Sequence, residues 1–160
     1  MRVTVAAVGR MKAGPERELA QRYLDRLAKT GGAVGLDYAG LIEEAESRAG
    51  TAPERKRDEA ARLTAALPDK TAIVLLDETG KTFSSPDFAA RLGTLRDEGT
   101  RDLAVLIGGP DGLDPELKRQ ARLVVAFGAM TWPHQIVRIL LAEQLYRAVT
   151  ILSGHPYHRV

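Results

Sequence analysis

The sequence predicts an α/β domain with a mainly parallel sheet flanked by helices. Three observations predict it. Five short apolar segments alternate with five helical ones along the chain. Two of those segments, Ala72 to Leu76 (AIVLL) and Leu103 to Ile107 (LAVLI), are apolar without interruption, as strands covered on both faces are. Proline and glycine fall at the borders, and no linker, repeat or low-complexity tract divides the chain. The 160 residues therefore read as one domain, 1–160, a length at which roughly 70 % of the unfolded surface is buried.

Each element has a local reason. Val3 to Val8 is an apolar run between Arg2 and Gly9, which suits a buried strand. Pro15 opens a helix, because its fixed φ fits the first turn. Leu19, Tyr23, Leu24 and Leu27 recur at helical spacing until Gly31-Gly32. Ala33 to Leu41 alternates loosely as a second strand, and the polar, acidic stretch from Ile42 to Ala52 reads as a mobile loop. Pro53 begins a helix carrying Ala60, Leu63 and Leu67, which Pro68-Asp69 ends. After the strand at 72–76, Ser85-Pro86-Asp87 supplies a hydroxyl cap, a first-position proline and an acid for the helix dipole. That helix runs to Gly99, and the strand at 103–107 follows. Asp114-Pro115-Glu116 repeats the helix-start chemistry, Leu123 to Phe127 is a fifth strand, and a long helix runs from Pro133 or His134 to about Ile151.

Composition narrows the function. With no cysteine there is no disulfide, no thiolate nucleophile and no cysteine-ligated metal. No apolar run approaches the roughly 20 residues of a membrane helix. Val3 to Val8 is too short for a signal-peptide core. A soluble, cytoplasmic protein with no membrane contact is expected. The formal charge of +2 hides an asymmetry: residues 117–160 hold six basic side chains and one acid, Glu143, a net +5. All three histidines lie there too. A basic end on a mildly acidic body suggests a polyanionic partner, against compositional drift as the plain alternative.

Ligands of open parallel sheets bind beyond the carboxyl ends of the strands. Three such ends stand out: Leu76 to Gly80, Ile107 to Gly112, and Phe127 to Trp132. At Gly108-Gly109 the backbone can turn sharply and approach a ligand, or simply form a turn. Neither GxxxxGK[ST] nor GxGxxG is present, which disfavours a nucleoside triphosphatase or an ordinary dinucleotide enzyme, and a flavodoxin-like protein or nucleotide hydrolase has no motif here either. Eleven of the 16 residues from Ile136 to Ile151 are apolar and encircle the helix. That fits a buried core helix or a subunit interface, for which a twofold dimer is the commonest form. Glu143 and Arg147 are spaced for an i,i+4 pair. The segment His155-Pro156-Tyr157-His158-Arg159-Val160 is dense in groups that hydrogen-bond, stack on bases or titrate near neutrality. Two histidines three apart could hold a metal, but no third ligand accompanies them, and no metal is expected. His134 reads as a group that caps or orients the start of the last helix rather than one that performs chemistry.

Phe127-Gly-Ala-Met-Thr-Trp-Pro-His-Gln-Ile-Val-Arg138, Leu141-Ala-Glu-Gln-Leu-Tyr-Arg-Ala148 and the His-Pro-Tyr-His-Arg tail closely resemble the ribosomal RNA large subunit methyltransferase H family. Leu106 to Gly112 and Val5 to Gly9 match as well, and the resemblance runs the whole length. It implies a SPOUT methyltransferase with a C-terminal deep trefoil knot, a feature no pattern argument would propose. It further implies S-adenosylmethionine as methyl donor, N3 of a pseudouridine in 23S rRNA of the assembled ribosome as acceptor, and action as a homodimer. By the same resemblance Leu76, Gly108, Gly109, Phe127, Gly128, Ala129, Met130, Thr131 and Trp132 would form the cofactor site. His155, His158 and Arg159 are then candidates for proton removal and charge stabilisation. Tyr157 would position the base, and Arg138 would contact phosphate or base. The tail would fold over the methyl donor, its own subunit's or its partner's. The rival reading is a non-catalytic ribosome- or RNA-binding protein on the same scaffold.

Overall fold

In the computed structural model, which describes residues 1–157, five strands form one parallel sheet in the order β2-β1-β4-β3-β5. The strands are β1 Arg2–Val8, β2 Asp37–Glu44, β3 Ala72–Thr82, β4 Asp102–Ile107 and β5 Leu123–Ala126. The helices are α1 Pro15–Thr30, α2 Ala52–Ala65, α3 Ser85–Asp97, α4 Pro115–Gln120 and α5 His134–Leu152. Strand and helix alternate throughout, as predicted.

The strand period of two divides the core into two layers. Val3, Val5 and Ala7 of β1, Val74 of β3, Leu103, Val105 and Ile107 of β4 and Val125 of β5 face α1, α3 and α5. The intervening Ala6, Val8, Leu75, Ala104 and Leu106 face Leu63 of α2, Leu117 of α4 and Leu113 of the turn before α4. That double coverage is why 72–76 and 103–107 carry no polar alternation.

Three elements differ in their bounds from the sequence reading. β2 lies later than Ala33 to Leu41, because Gly31–Val34 close a 3₁₀ turn ended by Gly35 at φ 70°. Residues 42–44 of the expected loop extend β2 in register with Ala6–Val8. The α3 cap is Ser84, whose side chain accepts from the Asp87 N–H, while the Ser85 hydroxyl donates to Gln144 Oε1 at 2.8 Å. β3 also runs past Leu76: residues 77–80 loop out, and Lys81 and Thr82 pair again with Val125 and Ala126 of β5. Gly80 lets the bulged segment lie close against β5. A Cβ there would lie 2.7 Å from the Val125 carbonyl carbon and 2.8 Å from that of Val124.

Candidate active site

The carboxyl ends of β1, β3, β4 and β5 and the first turn of α5 enclose a cavity of about 610 Å³. It lies where the topology of a parallel sheet places ligands.

The floor is the turn after β4. The Gly112 N–H donates to the Gly109 carbonyl at 2.9 Å, and Gly112 has φ 85°. A Cβ on Gly108 would fall 2.9 Å from Leu113 Cγ, and one on Gly109 would fall 3.0 Å from both Val8 Cγ1 and Glu59 Oε2. The protein's own packing thus leaves no free room for a side chain at either glycine. α2 holds this turn at two points. Arg55 grips Asp111 through Nε at 2.7 Å and Nη2 at 3.2 Å. Glu59, 3 % exposed, lies beneath Gly109 and accepts the Ser47 N–H at 2.9 Å.

One wall is the looped-out part of β3. Leu76 lines the cavity, and next to it Asp77 is held by Lys118 Nζ at 2.8 Å and the Thr79 N–H at 3.0 Å. Burial works against the Asp77 charge, but these hydrogen bonds outweigh it and keep the carboxyl below its usual range. The opposite rim is the 127–132 loop. Gly128 turns at φ 101°, and Trp132 Nε1 donates to the Phe127 carbonyl at 3.2 Å, closing the loop on itself. Met130 is 74 % exposed at this rim. Of the nine residues expected to hold a cofactor, eight line the cavity, and Ala129 is exposed beside it.

The back of the cavity is a latch between distant parts of the chain. Arg138, 5 % exposed, pairs with Glu43 of β2 and donates to the carbonyls of Gly9 and, at 3.2 Å, Val8. The Met11 N–H donates to the same Glu43 carboxylate at 3.2 Å. His134 Nε2 lies 2.9 Å from the Val8 carbonyl. Arg138, expected to contact phosphate or base, is buried here with Nη1 and Nη2 on these internal partners, while its Nε has none among the described residues. His134 orients the helix start, as expected, through Val8.

The structure carries the tail elsewhere. The His155 N–H donates to Thr150 O at 2.9 Å, ending α5, and His155 Nδ1 accepts the Tyr157 N–H at 3.2 Å. Tyr157 packs tilted against Tyr146 at 4.8 Å between centroids, faces Arg147 at 5.1 Å, and donates its hydroxyl to Glu143 Oε1 at 3.2 Å. Burial first, then Tyr23 and Glu143, raise its phenol above the ordinary tyrosine range. Glu143 and Tyr146 lie nine and twelve residues beyond His134, roughly 14–18 Å along the helix. His155 and Tyr157 are therefore not brought to the cavity of their own chain. His158 and Arg159 lie outside the described residues.

The charge asymmetry of the sequence also dissolves in space. Lys118 pairs with Asp77, Arg119 with Glu116, Arg122 with Glu98, Arg138 with Glu43 and Arg147 with Glu143. Four of those five acids come from the first 116 residues, so the net +5 forms no unpaired basic face among the described residues. Arg10, by contrast, is exposed, lines the cavity, and makes no ion pair among the described residues. Sequence reasoning missed Glu43, Arg55, Glu59 and Lys118 as parts of the site. Asp111, beside Gly112, and Asp77, at the end of an apolar run, were the only visible hints. Among the described residues no three His, Asp or Glu side chains are grouped to hold a metal ion. No helix there is long and apolar enough to cross a membrane.

Comparison with known proteins gives one consistent result. A family model described as "Predicted SPOUT methyltransferase" matches residues 1–158. A protein of Rhizobium meliloti named Ribosomal RNA large subunit methyltransferase H is 64% identical over 159 residues, covering 99% of both chains. A protein of the same name from Mesorhizobium japonicum is 62% identical over 159 residues, again covering 99% of both. Among solved structures, the SpoU methyltransferase AviRb of Streptomyces viridochromogenes, in complex with AdoMet, aligns at 15% identity and a TM-score of 0.38. That alignment covers 92% of this chain and 59% of AviRb.

Proposed function

Because the chain belongs to the SPOUT methyltransferase family, we propose that it transfers a methyl group from S-adenosylmethionine to N3 of a pseudouridine in 23S rRNA of the assembled ribosome. The observation that carries this reading is the end-to-end match, at 62–64% identity, to proteins named for methylation of large-subunit ribosomal RNA. The cavity suits the donor. Leu76, Ile107, Leu113, Phe127 and Val137 supply apolar walls, while Glu46, Asp77 and Glu78 supply carboxylates for a cationic cosubstrate. When bound, S-adenosylmethionine contributes an electrophilic methyl carbon on a sulfonium.

The chain's own task is to orient, exclude water and manage a proton. Leu76, the Gly108-Gly109 turn and the 127–132 loop hold the donor, with the loop backbone reading adenine edges. The methyl must lie about 3–3.5 Å from the attacking nitrogen and in line with it. Loss of the N3 proton leaves negative charge on the uracil oxygens, which an arginine such as Arg159 stabilises. Tyr157, His155, His158 and Arg159 act in trans in this reading, over the partner subunit's cavity. The support is the distance of His155 and Tyr157 from their own. A homodimer is supported by Ile136, Ile139 and Leu140, partly exposed and outside both core layers. Arg10 and Lys12, exposed on the loop after β1, offer first contacts to ribosomal phosphates. The trefoil knot and a cytoplasmic location belong to the same reading.

The test is methylation of ribosomes from a strain lacking this gene, with labelled donor and mass mapping of 23S rRNA fragments. A single methyl on one pseudouridine is expected. Absence of transfer refutes the reading. Calorimetry with S-adenosylmethionine separates the remaining cases, because a non-catalytic scaffold binds no donor.

A further inference from the structure

His134 is the one histidine among the described residues that lines the cavity. Its Nε2 lies 2.9 Å from the Val8 carbonyl oxygen, which can only accept. Nε2 therefore carries the hydrogen. Burial and then the neighbouring Arg138 guanidinium lower the imidazole pKa, so the ring is neutral at physiological pH. In a neutral ring with Nε2–H, Nδ1 holds a lone pair, and no described residue donates to it. The latch of Arg138 on Val8 and Gly9 fixes the carbonyl that fixes this tautomer.

From this geometry we infer that His134 Nδ1 is the proton acceptor of the methyl transfer, supplied by the same subunit that holds the methyl donor. The inference rests on the function proposed above. As the ring-nitrogen–carbon bond forms, the sulfonium carbon–sulfur bond breaks and its electron pair returns to sulfur. The proton on the attacking nitrogen passes to His134 Nδ1. The resulting imidazolium keeps its Nε2–H bond to Val8 and loses the proton to solvent. The charged groups around the ring are Arg138 on the same helix, Glu43 of β2 behind it, Glu46 on the loop after β2 and Arg10 on the loop after β1. Burial and Arg138 outweigh the pull of Glu46 and the Val8 bond.

Two measurements test this. His134→Gln preserves an N–H donor for Val8 but removes the Nδ1 base. Expected are unchanged thermal unfolding, unchanged donor binding by calorimetry, and a single-turnover methylation rate reduced by about 10²–10⁴-fold. The falling acid limb of the wild-type pH–rate profile disappears in the variant. Independently, two-bond ¹H–¹⁵N spectra of the wild-type protein should show a His134 ring protonated at Nε2 and titrating below the ordinary histidine value of about 6.5. A variant rate within about threefold of wild type, or an Nδ1–H tautomer, overturns the inference. If His134→Gln unfolds, the tautomer measurement still decides. If wild type methylates no ribosomes, the functional reading fails and this inference fails with it. If wild type is active and the variant equally so, only this inference fails.

Discussion

Removing the Arg138 side chain is the most informative single perturbation. Arg138→Ala strips Glu43 of its ion pair and the Gly9 carbonyl of its guanidinium donor, while Val8 keeps His134. Arg138 is 5 % exposed and Glu43 has a side chain 20% exposed, so little water can replace the lost partner. Breaking one partner of a buried pair costs about 3–5 kcal/mol. One buried atom, Arg138 Nε, already lacks a partner, which places the expected value near the lower end. For a chain of this size 1 kcal/mol shifts Tm by about 2–4 °C, so Arg138→Ala should melt roughly 6–12 °C lower. Calorimetry of Arg138→Ala, Glu43→Gln and the double variant supplies the check. The double variant should be milder than the sum of the singles by at least about 1 kcal/mol. If Arg138 instead touched phosphate, its loss would leave Tm within about 2 °C and flatten the salt dependence of ribosome binding. That outcome would refute the latch.

The remaining predictions probe other parts of the site. Gly80→Ala should fail to fold, because its Cβ would meet the backbone of Val124 and Val125 and neither strand can yield; soluble expression and circular dichroism decide. Gly109→Ala should cost about 1–3 kcal/mol, because its Cβ meets Val8 and the end of Glu59, as chemical denaturation would show. Trp132 is the only tryptophan and lines the cavity, so S-adenosylmethionine should change the intrinsic fluorescence, and Trp132→Phe should abolish that signal. His134 has a folded-state pKa below its unfolded value, so its contribution to stability is present above about pH 6.5 and is lost as pH falls through the folded value. Unfolding titrations should show that acid-side loss in wild type and less of it in His134→Gln.

What could be read from the chain follows from how local each cause is. Proline at a first turn, a capping hydroxyl and a run such as LAVLI are properties of neighbours in sequence, and they located the five α-helices and four of the strands, whereas β2, marked only by loose alternation, begins four residues later than its pattern predicts. Ser84 displaced Ser85 as cap by one position because both carry hydroxyls and only the geometry selects one. The apolar run AIVLL predicts only the first five residues of β3, which runs to Thr82. Its last two residues are held by pairing with β5, a tertiary bond that DETGKT does not advertise by composition.

The site was legible in its backbone and illegible in its side-chain wiring. Strand ends and glycines announce where a parallel sheet opens, so the cavity walls were found. The latch was not, because Arg138 and His134 act on Val8 across 130 and 126 residues, and nothing near either position in sequence marks the partner. The same separation explains the misleading charge count. Lys118 is answered by Asp77 and Arg138 by Glu43, acids that arrive through sheet topology rather than along the helix. A +5 segment can therefore be neutral at its surface, while the loop after β1 in a net acidic stretch leaves Arg10 at the cavity mouth without an ion-pair partner among the described residues. Sequence charge measures what a segment must find partners for. The parallel order β2-β1-β4 decides who they are, since it sets the end of β2 and its Glu43 beside the end of β1 and its carbonyls. That arrangement makes α5 a structural strut at the very turn where His134 faces the cavity. A substitution at Glu43, on the edge strand, should therefore disturb the chemistry at His134 without touching substrate.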